Sequence, residues 1–123
     1  MVTLLIVEDN RAMRNLIRSI VADVATDISE CSDGSEALSA YRRCRPDWVL
    51  MDIGMPQMDG IAATNQIKAA FPEAKVVIVT DHDNDKLRNA ASVAGACAYV
   101  LKEDLLVLRE VLTQKQTKQA KVP

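Results

Sequence analysis

The sequence predicts a doubly wound α/β domain on a five-stranded parallel sheet with strand order 2-1-3-4-5, and three features predict it. Short apolar runs at Leu4–Val7, Trp48–Met51, Val76–Val79 and Ala98–Leu101 are unbroken and rich in branched residues, as strands covered on both faces are. Helical periodicity fills the intervals, and strict alternation of strand and helix means parallel pairing, right-handed crossovers and helices on both faces. Acids and a lysine stand directly after the runs, at the edge where open sheets of this kind bind ligands.

Each element has its own signal. After the first run, apolar residues at Met13, Leu16, Ile17, Ile20, Val21 and Val24 keep the spacing of one buried helical face from Arg11 to Val24, with Asn10 placed to cap it. Thr26–Cys31 is more polar and reads as an edge strand. In "DGSEALSAYRRC", Asp33 and Glu36 stand at capping-box separation, with Asp in the usual Ser or Thr place. The loop "DIGMPQMDG" follows Met51; Asp59 reads as its turn residue, and Met55 and Met58 as loop packing. A third helix runs from Gly60 to Ala70 and stops at Phe71-Pro72. A fourth, Ala-rich, spans about Asp85 to Ala94, and a fifth starts near Asp104. The fifth carries an apolar sector of Leu105, Val107, Leu108, Val111 and Leu112, leaving Leu106 outside as a candidate partner or dimer contact. "TQKQTKQAKVP" is polar, so the domain is assigned to residues 1–113 and a C-terminal tail to 114–123. The arrangement is the flavodoxin-like (βα)5 order, whose switch point lies between the first and third strands.

Bulk properties narrow the function. The 123 residues carry net charge −2 and 49% hydrophobic content, enough for one domain with a real core. No sustained basic stripe is present, so direct nucleic-acid binding by this domain is not expected. No apolar stretch approaches the roughly 20 residues of a membrane span. The opening "MVTLLIVEDN" lacks a basic start and turns acidic, so it is no signal peptide and a cytoplasmic location is expected. Cys31, Cys44 and Cys97 are scattered, without CxxC spacing or a nearby His; they read as buried or half-buried thiols rather than zinc ligands. In "TDHDNDK", Asp81, Asp83 and Asp85 alternate, but a calcium loop needs Gly and Glu where Lys86 and Ser92 stand.

The strand ends carry the chemistry. Glu8 and Asp9 follow the first strand, Asp52 the third, Thr80 ends the fourth and Lys102 follows the fifth. Two carboxylates about 5 Å apart repel by roughly 3 kcal/mol at an effective dielectric of 20. Three together invite a hard divalent cation. Mg²⁺ fits, since it prefers one or two carboxylates and leaves room for water and a phosphate oxygen. With Thr80 and Lys102 as donors to the remaining phosphoryl oxygens, the set is suited to phosphoryl transfer onto Asp52.

These residues resemble the receiver domain of two-component response regulators over roughly Val2 to Leu112. The resemblance rests on Glu8-Asp9, Asp52 with "MPQMDG" beginning three residues on, Thr80, Tyr99 and Lys102. It implies that Asp52 takes phosphate from a sensor histidine kinase or histidine phosphotransfer protein. It implies Mg²⁺ on Asp9, Asp52 and the Gly54 carbonyl, with Glu8 acting directly or through water. Lys102 and Thr80 would hold the phosphoryl oxygens. Thr80 and Tyr99 would form the switch that changes the surface of the fourth helix, fifth strand and fifth helix, where an output partner or a homodimer would dock. Such a module is no general enzyme and catalyses only its own phosphotransfer and dephosphorylation. Arg11, Arg14 and Arg18 share one helical face, read as solvated, with a kinase-docking surface as the alternative.

Two positions depart from the family pattern. Asp81 replaces the small residue usual after the threonine, with His82 next, which implies an altered phosphorylation or hydrolysis rate. Glu103 replaces a frequent Pro after the lysine, so a trans peptide is expected there. "AYVLKED" also resembles receivers joined to helix-turn-helix domains. Among rivals, a haloacid-dehalogenase-type Mg²⁺ phosphatase would want a second acid at Gly54. A flavodoxin-like cofactor binder would want a phosphate-cradling loop where the acidic "EDN" stands. A receiver-like protein that never sees phosphate would be expected to lack a key residue.

Overall fold

The computed structural model describes residues 2–113. The strands are β1 (Val2–Val7), β2 (Ala25–Cys31), β3 (Trp48–Met51), β4 (Val76–Thr80) and β5 (Ala98–Leu101). They form one sheet in the order β2-β1-β3-β4-β5, every pairing parallel. The helices are α1 (Arg11–Val21), α2 (Ala37–Cys44), α3 (Gly60–Ala70), α4 (Asp85–Ala94) and α5 (Val107–Thr113). The predicted fold and strand order are those observed.

The unbroken apolar runs are explained by a sheet that is covered on both sides. Alternate residues divide between two clusters. Leu5, Val7, Val49, Met51, Val76 and Ile78 pack with Ala37, Tyr41, Ala63 and Ile67 of α2 and α3. Leu4, Ile6, Leu50, Val77 and Val79 pack with Ile17 and Val21 of α1 and Leu108 and Leu112 of α5. Burying each such side chain contributes roughly 1.5–3 kcal/mol. The carboxyl ends of β1, β3, β4 and β5 are thereby held at one rigid edge.

Several expectations need correction. α1 stops at Val21, not Val24; a turn closed by the Val24 N–H on the Val21 carbonyl at 3.0 Å brings Val24 back to the core, so the apolar spacing outlasts the helix. A 3₁₀ turn at Lys102–Asp104 delays α5 to Val107. Of the expected apolar sector, Leu105, Leu108, Val111 and Leu112 do face the core but Val107 is 40% exposed, while Leu106, expected outside it, is 70% exposed. Cys44 and Cys97 are exposed, since one ends α2 and the other precedes β5, while Cys31 is half-buried. Arg14 and Arg18 are not a simple solvated face. Both pair with Glu30 on the edge strand β2, at 3.1 and 2.7 Å. Asp33 caps a 3₁₀ turn at Gly34–Glu36, and Glu36 accepts the Ser32 N–H instead of closing a capping box on Asp33. The proposed tail, 114–123, lies outside the described residues. No helix among the described residues is long and apolar enough to cross a membrane.

Candidate functional site

Parallel strands deliver their last residues to the same edge, and local bonds then fix each side chain. The Asp52 N–H donates to the Val7 carbonyl at 2.9 Å, extending the β1–β3 pairing one residue and setting Asp52 beside Glu8. Asn10 ends the β1–α1 connection by accepting the Met13 N–H at 2.8 Å. Behind Asp52, α3 begins so close that a Cβ on Gly60 would lie 1.9 Å from the Asp52 carbonyl oxygen. Only glycine allows that approach.

The result is a cleft of about 370 Å³ lined by Glu8, Asp9, Asp52, Gly54, Thr80 and Lys102, together with Asn10, Met13, Asp81 and His82. The Lys102 Nζ lies 3.0 Å from Glu8 Oε1 and 3.2 Å from Asp52 Oδ1. Glu8 Oε2 accepts the Asn10 N–H at 3.1 Å. Carboxylate oxygens of Glu8, Asp9 and Asp52 lie within 4.8 Å of one another, and this is the only such acidic grouping among the described residues. Asp81, Asp83 and Asp85 form none, and Asp83 pairs with Arg88 at 3.1 Å.

Burial sets the electrostatics. Glu8 is 2% and Asp52 5% exposed. Burial pushes the Asp52 carboxyl above its ordinary range, and the Asp9 charge adds to this; Lys102 offsets it only in part. Burial also raises Glu8, against the hydrogen bonds it receives from Lys102 and Asn10. Burial alone would lower Lys102, but the Glu8 hydrogen bond and the Asp52 charge raise it, so the ammonium is secure at neutral pH. Three carboxylates facing one ammonium suit a hard cation with oxygen ligands. Glu8 Oε1 faces Lys102 and Glu8 Oε2 accepts the Asn10 N–H, while Asp9, Asp52 and Gly54 line the same cleft.

Thr80 is 1% exposed, and its Oγ1 accepts the His82 N–H at 3.2 Å. The half-buried Tyr99 donates its hydroxyl to the His82 carbonyl at 2.7 Å, and the Arg88 guanidinium lies 4.6 Å from its ring centroid. One residue, His82, therefore links Thr80 to Tyr99, through its N–H on one side and its carbonyl on the other. Asp81 and His82 are both exposed at the mouth of the cleft, and the Lys102–Glu103 peptide is trans. Sequence reasoning missed Arg14, whose Nη1 donates to the Glu8 carbonyl at 2.8 Å, and the reach of Asp33. Its carboxylate accepts the Gln57 and Met58 N–H groups of the loop after Asp52. The capping signature marked Asp33, but nothing local in sequence marked a partner 24 residues on.

The model of the response regulator receiver domain matches residues 4–113. The chain belongs to that family. This receiver is 38% identical over 98 residues to the chemotaxis protein CheY of Halobacterium salinarum, covering 80% of this chain and 82% of that one. It superposes with TM-score 0.84 and 27% identity on a DNA-binding response regulator of the LuxR family from Staphylococcus aureus, covering 93% and 98% of the two chains. A CheX–CheY–BeF₃–Mg²⁺ complex from Borrelia burgdorferi matches with TM-score 0.78 and 25% identity, over 90% of this chain and 87% of that one. Receiver domains are signalling modules of two-component systems.

Proposed function

We propose that this receiver, spanning residues 1–113, accepts a phosphoryl group on Asp52 from a sensor histidine kinase or histidine phosphotransfer protein in the cytoplasm. The observation that carries the reading is the Lys102 Nζ, 3.2 Å from Asp52 Oδ1 inside the three-carboxylate cleft. In the transfer, an Asp52 oxygen attacks phosphorus as the phosphorus–nitrogen bond to the donor imidazole breaks. The imidazole nitrogen keeps the electron pair and takes a proton. Asp9, Asp52 and the Gly54 carbonyl would hold Mg²⁺, which neutralises charge on the phosphoryl oxygens when bound. Glu8 would act on it directly or through water, and it keeps Lys102 in place. The Mg²⁺ in the complex of the Borrelia relative supports this assignment.

Lys102 and Thr80 donate to the transferred group. Drawing Thr80 Oγ1 toward it breaks the bond from the His82 N–H, and through the His82 backbone the change reaches Tyr99. The α4–β5–α5 surface then presents a different face to an output partner or a second copy. The test is intact-mass measurement after incubation with acetyl phosphate. A Mg²⁺-dependent gain of one phosphoryl group, absent in Asp52→Asn, is expected. A gain that survives Asp52→Asn, or none at any Mg²⁺ concentration, refutes the reading.

A further inference from the structure

The segment from Asp52 to Asp59 leaves the sheet, carries Gly54 past the cleft and returns to α3. It is tied at two places. At its neck the Gly60 N–H donates to the Ile53 carbonyl at 2.8 Å. At its tip one carboxylate from a distant part of the chain does the holding. Asp33 Oδ1 accepts the Gln57 N–H at 3.0 Å, and Oδ2 accepts the Met58 N–H at 3.2 Å and the Ser35 N–H at 2.8 Å. Asp33 is 7% exposed, and only the last of these contacts caps the 3₁₀ turn at Gly34–Glu36. Gly34 beside it completes the seat, since a Cβ there would lie 2.3 Å from the Met58 carbonyl oxygen. The Gln57 and Ser35 donors hold the Asp33 carboxyl below its ordinary range, so it stays ionised throughout the neutral range.

We propose that Asp33 is a positioning residue for the metal site: by fixing the Gln57–Met58 tip it sets where the Gly54 carbonyl points into the cleft. With the neck closed at Ile53–Gly60 and the Met55 and Met58 side chains packed on the core, the segment between has one long-range side-chain hydrogen-bonding anchor among the described residues, and Gly54 has no Cβ to pack it in place. A cation that takes a backbone carbonyl needs it aimed before binding, and partners behind metal ligands commonly set affinity by about 10–100-fold. Asp33 acts through backbone and touches neither the ion nor the phosphoryl group.

The inference rests on the Mg²⁺ reading above, and its test separates the two. Mg²⁺ affinity is measured by titration calorimetry on the full chain, with amide exchange followed at Gln57 and Met58. Asp33→Asn replaces one acceptor by a donor facing an N–H. Asp33→Glu keeps the charge but displaces the carboxylate by a methylene. Both are expected to weaken Mg²⁺ by about 10-fold and to speed exchange at Gln57 and Met58. Glu36→Gln, which removes a neighbouring charge that does not reach the loop, leaves both unchanged. In the unaltered chain Mg²⁺ is expected to slow exchange at Gln57 and Met58, because coupling between ion and loop is reciprocal; this readout survives if a variant fails to fold. Faster loop exchange with unchanged Mg²⁺ affinity overturns the role of Asp33 alone, as does unchanged exchange on adding Mg²⁺. A chain that binds no Mg²⁺ overturns the metal site and this proposal together.

Discussion

Removing the central carboxylate should make the metal-free protein more stable. In Asp52→Asn the lost attraction to Lys102, at 3.2 Å, is about 5 kcal/mol at an effective dielectric of 20. The lost repulsion from Glu8 and Asp9, each within 4.8 Å, is at least about 3.5 kcal/mol apiece on the same scale, with Asp9 discounted because it is exposed. Desolvation of a carboxylate only 5% exposed adds to the side of the repulsion. The net is a gain on the order of 1–2 kcal/mol, or about 3–8 °C in Tm for a domain of this size. The pH dependence follows from the raised carboxyl of Asp52. A group raised in the folded state contributes its stability below the unfolded pKa and loses it as pH rises through the folded one. The advantage of the variant should therefore be full at pH 7 and shrink as pH falls toward the ordinary value of 3.8, where Asp52 becomes neutral like Asn. Circular-dichroism melts in chelator at pH 7 and pH 4 measure it. Added Mg²⁺ should narrow the gap by stabilising the unaltered chain, by about 2.7 kcal/mol at 100 times Kd. A lower Tm for Asp52→Asn at pH 7 in chelator, or a gap that does not shrink at pH 4, refutes this account of the cleft.

Three other outcomes are expected. Lys102→Ala strands two buried carboxylates and should cost about 3–5 kcal/mol in urea unfolding at pH 7; in the unaltered chain the same contribution, present below the unfolded lysine value, should fade at alkaline pH as Lys102 loses its proton. Asp81→Ala removes an exposed charge at the cleft mouth and should speed labelling by anionic acetyl phosphate about two- to threefold at low salt, an effect that high salt abolishes. Burial pushes the Cys31 thiol to about 11, leaving about 0.1% thiolate at pH 8, so brief iodoacetamide treatment should modify the exposed Cys44 and Cys97 and spare Cys31 when mapped by mass spectrometry.

What was legible in the sequence was whatever a period or a strand end encodes. Apolar runs such as Val76–Val79 fix their strands because only two-sided burial tolerates them, and the residues just past those strands must share an edge once the sheet is parallel. Glu8, Asp9, Asp52, Thr80 and Lys102 are thus brought to one edge by strand order alone. Boundaries were less legible where two structures present the same spacing: Val24 reaches the core from a turn, and Leu105 is buried ahead of the helix that the pattern assigned it to. Long-range polar contacts were not legible. Glu30 lies on the edge strand where any register would leave a carboxylate, and only its placement beside α1 shows that it collects Arg14 and Arg18. Asp33 satisfies a local rule and a distant loop with the same two oxygens, and only the local rule leaves a trace in sequence.

The arrangement of the lysine explains why so costly a cluster is kept. Replacing buried ion pairs by apolar residues often stabilises a fold, so three carboxylates and one ammonium at the sheet edge oppose stability unless something binds there. Lys102 is shared: Glu8, which has its other oxygen on the Asn10 N–H, holds the ammonium from one side and leaves it 3.2 Å from Asp52. A lysine bound by Asp52 alone would neutralise the nucleophile and would have to be pulled away for reaction. One anchored by Glu8 can remain in place while Asp52 gains a phosphoryl group, and can pair with the new oxygens without crossing the cleft. On the proposed reading, Glu8 contributes more by fixing the position of Lys102 than by ligating a cation. Glu8→Gln, which keeps a hydrogen-bond acceptor but loses the charge holding the ammonium, should then slow phosphoryl transfer more than it weakens Mg²⁺ binding. Titration calorimetry beside labelling rates decides it, and an equal loss in both would mean that Glu8 serves the ion directly.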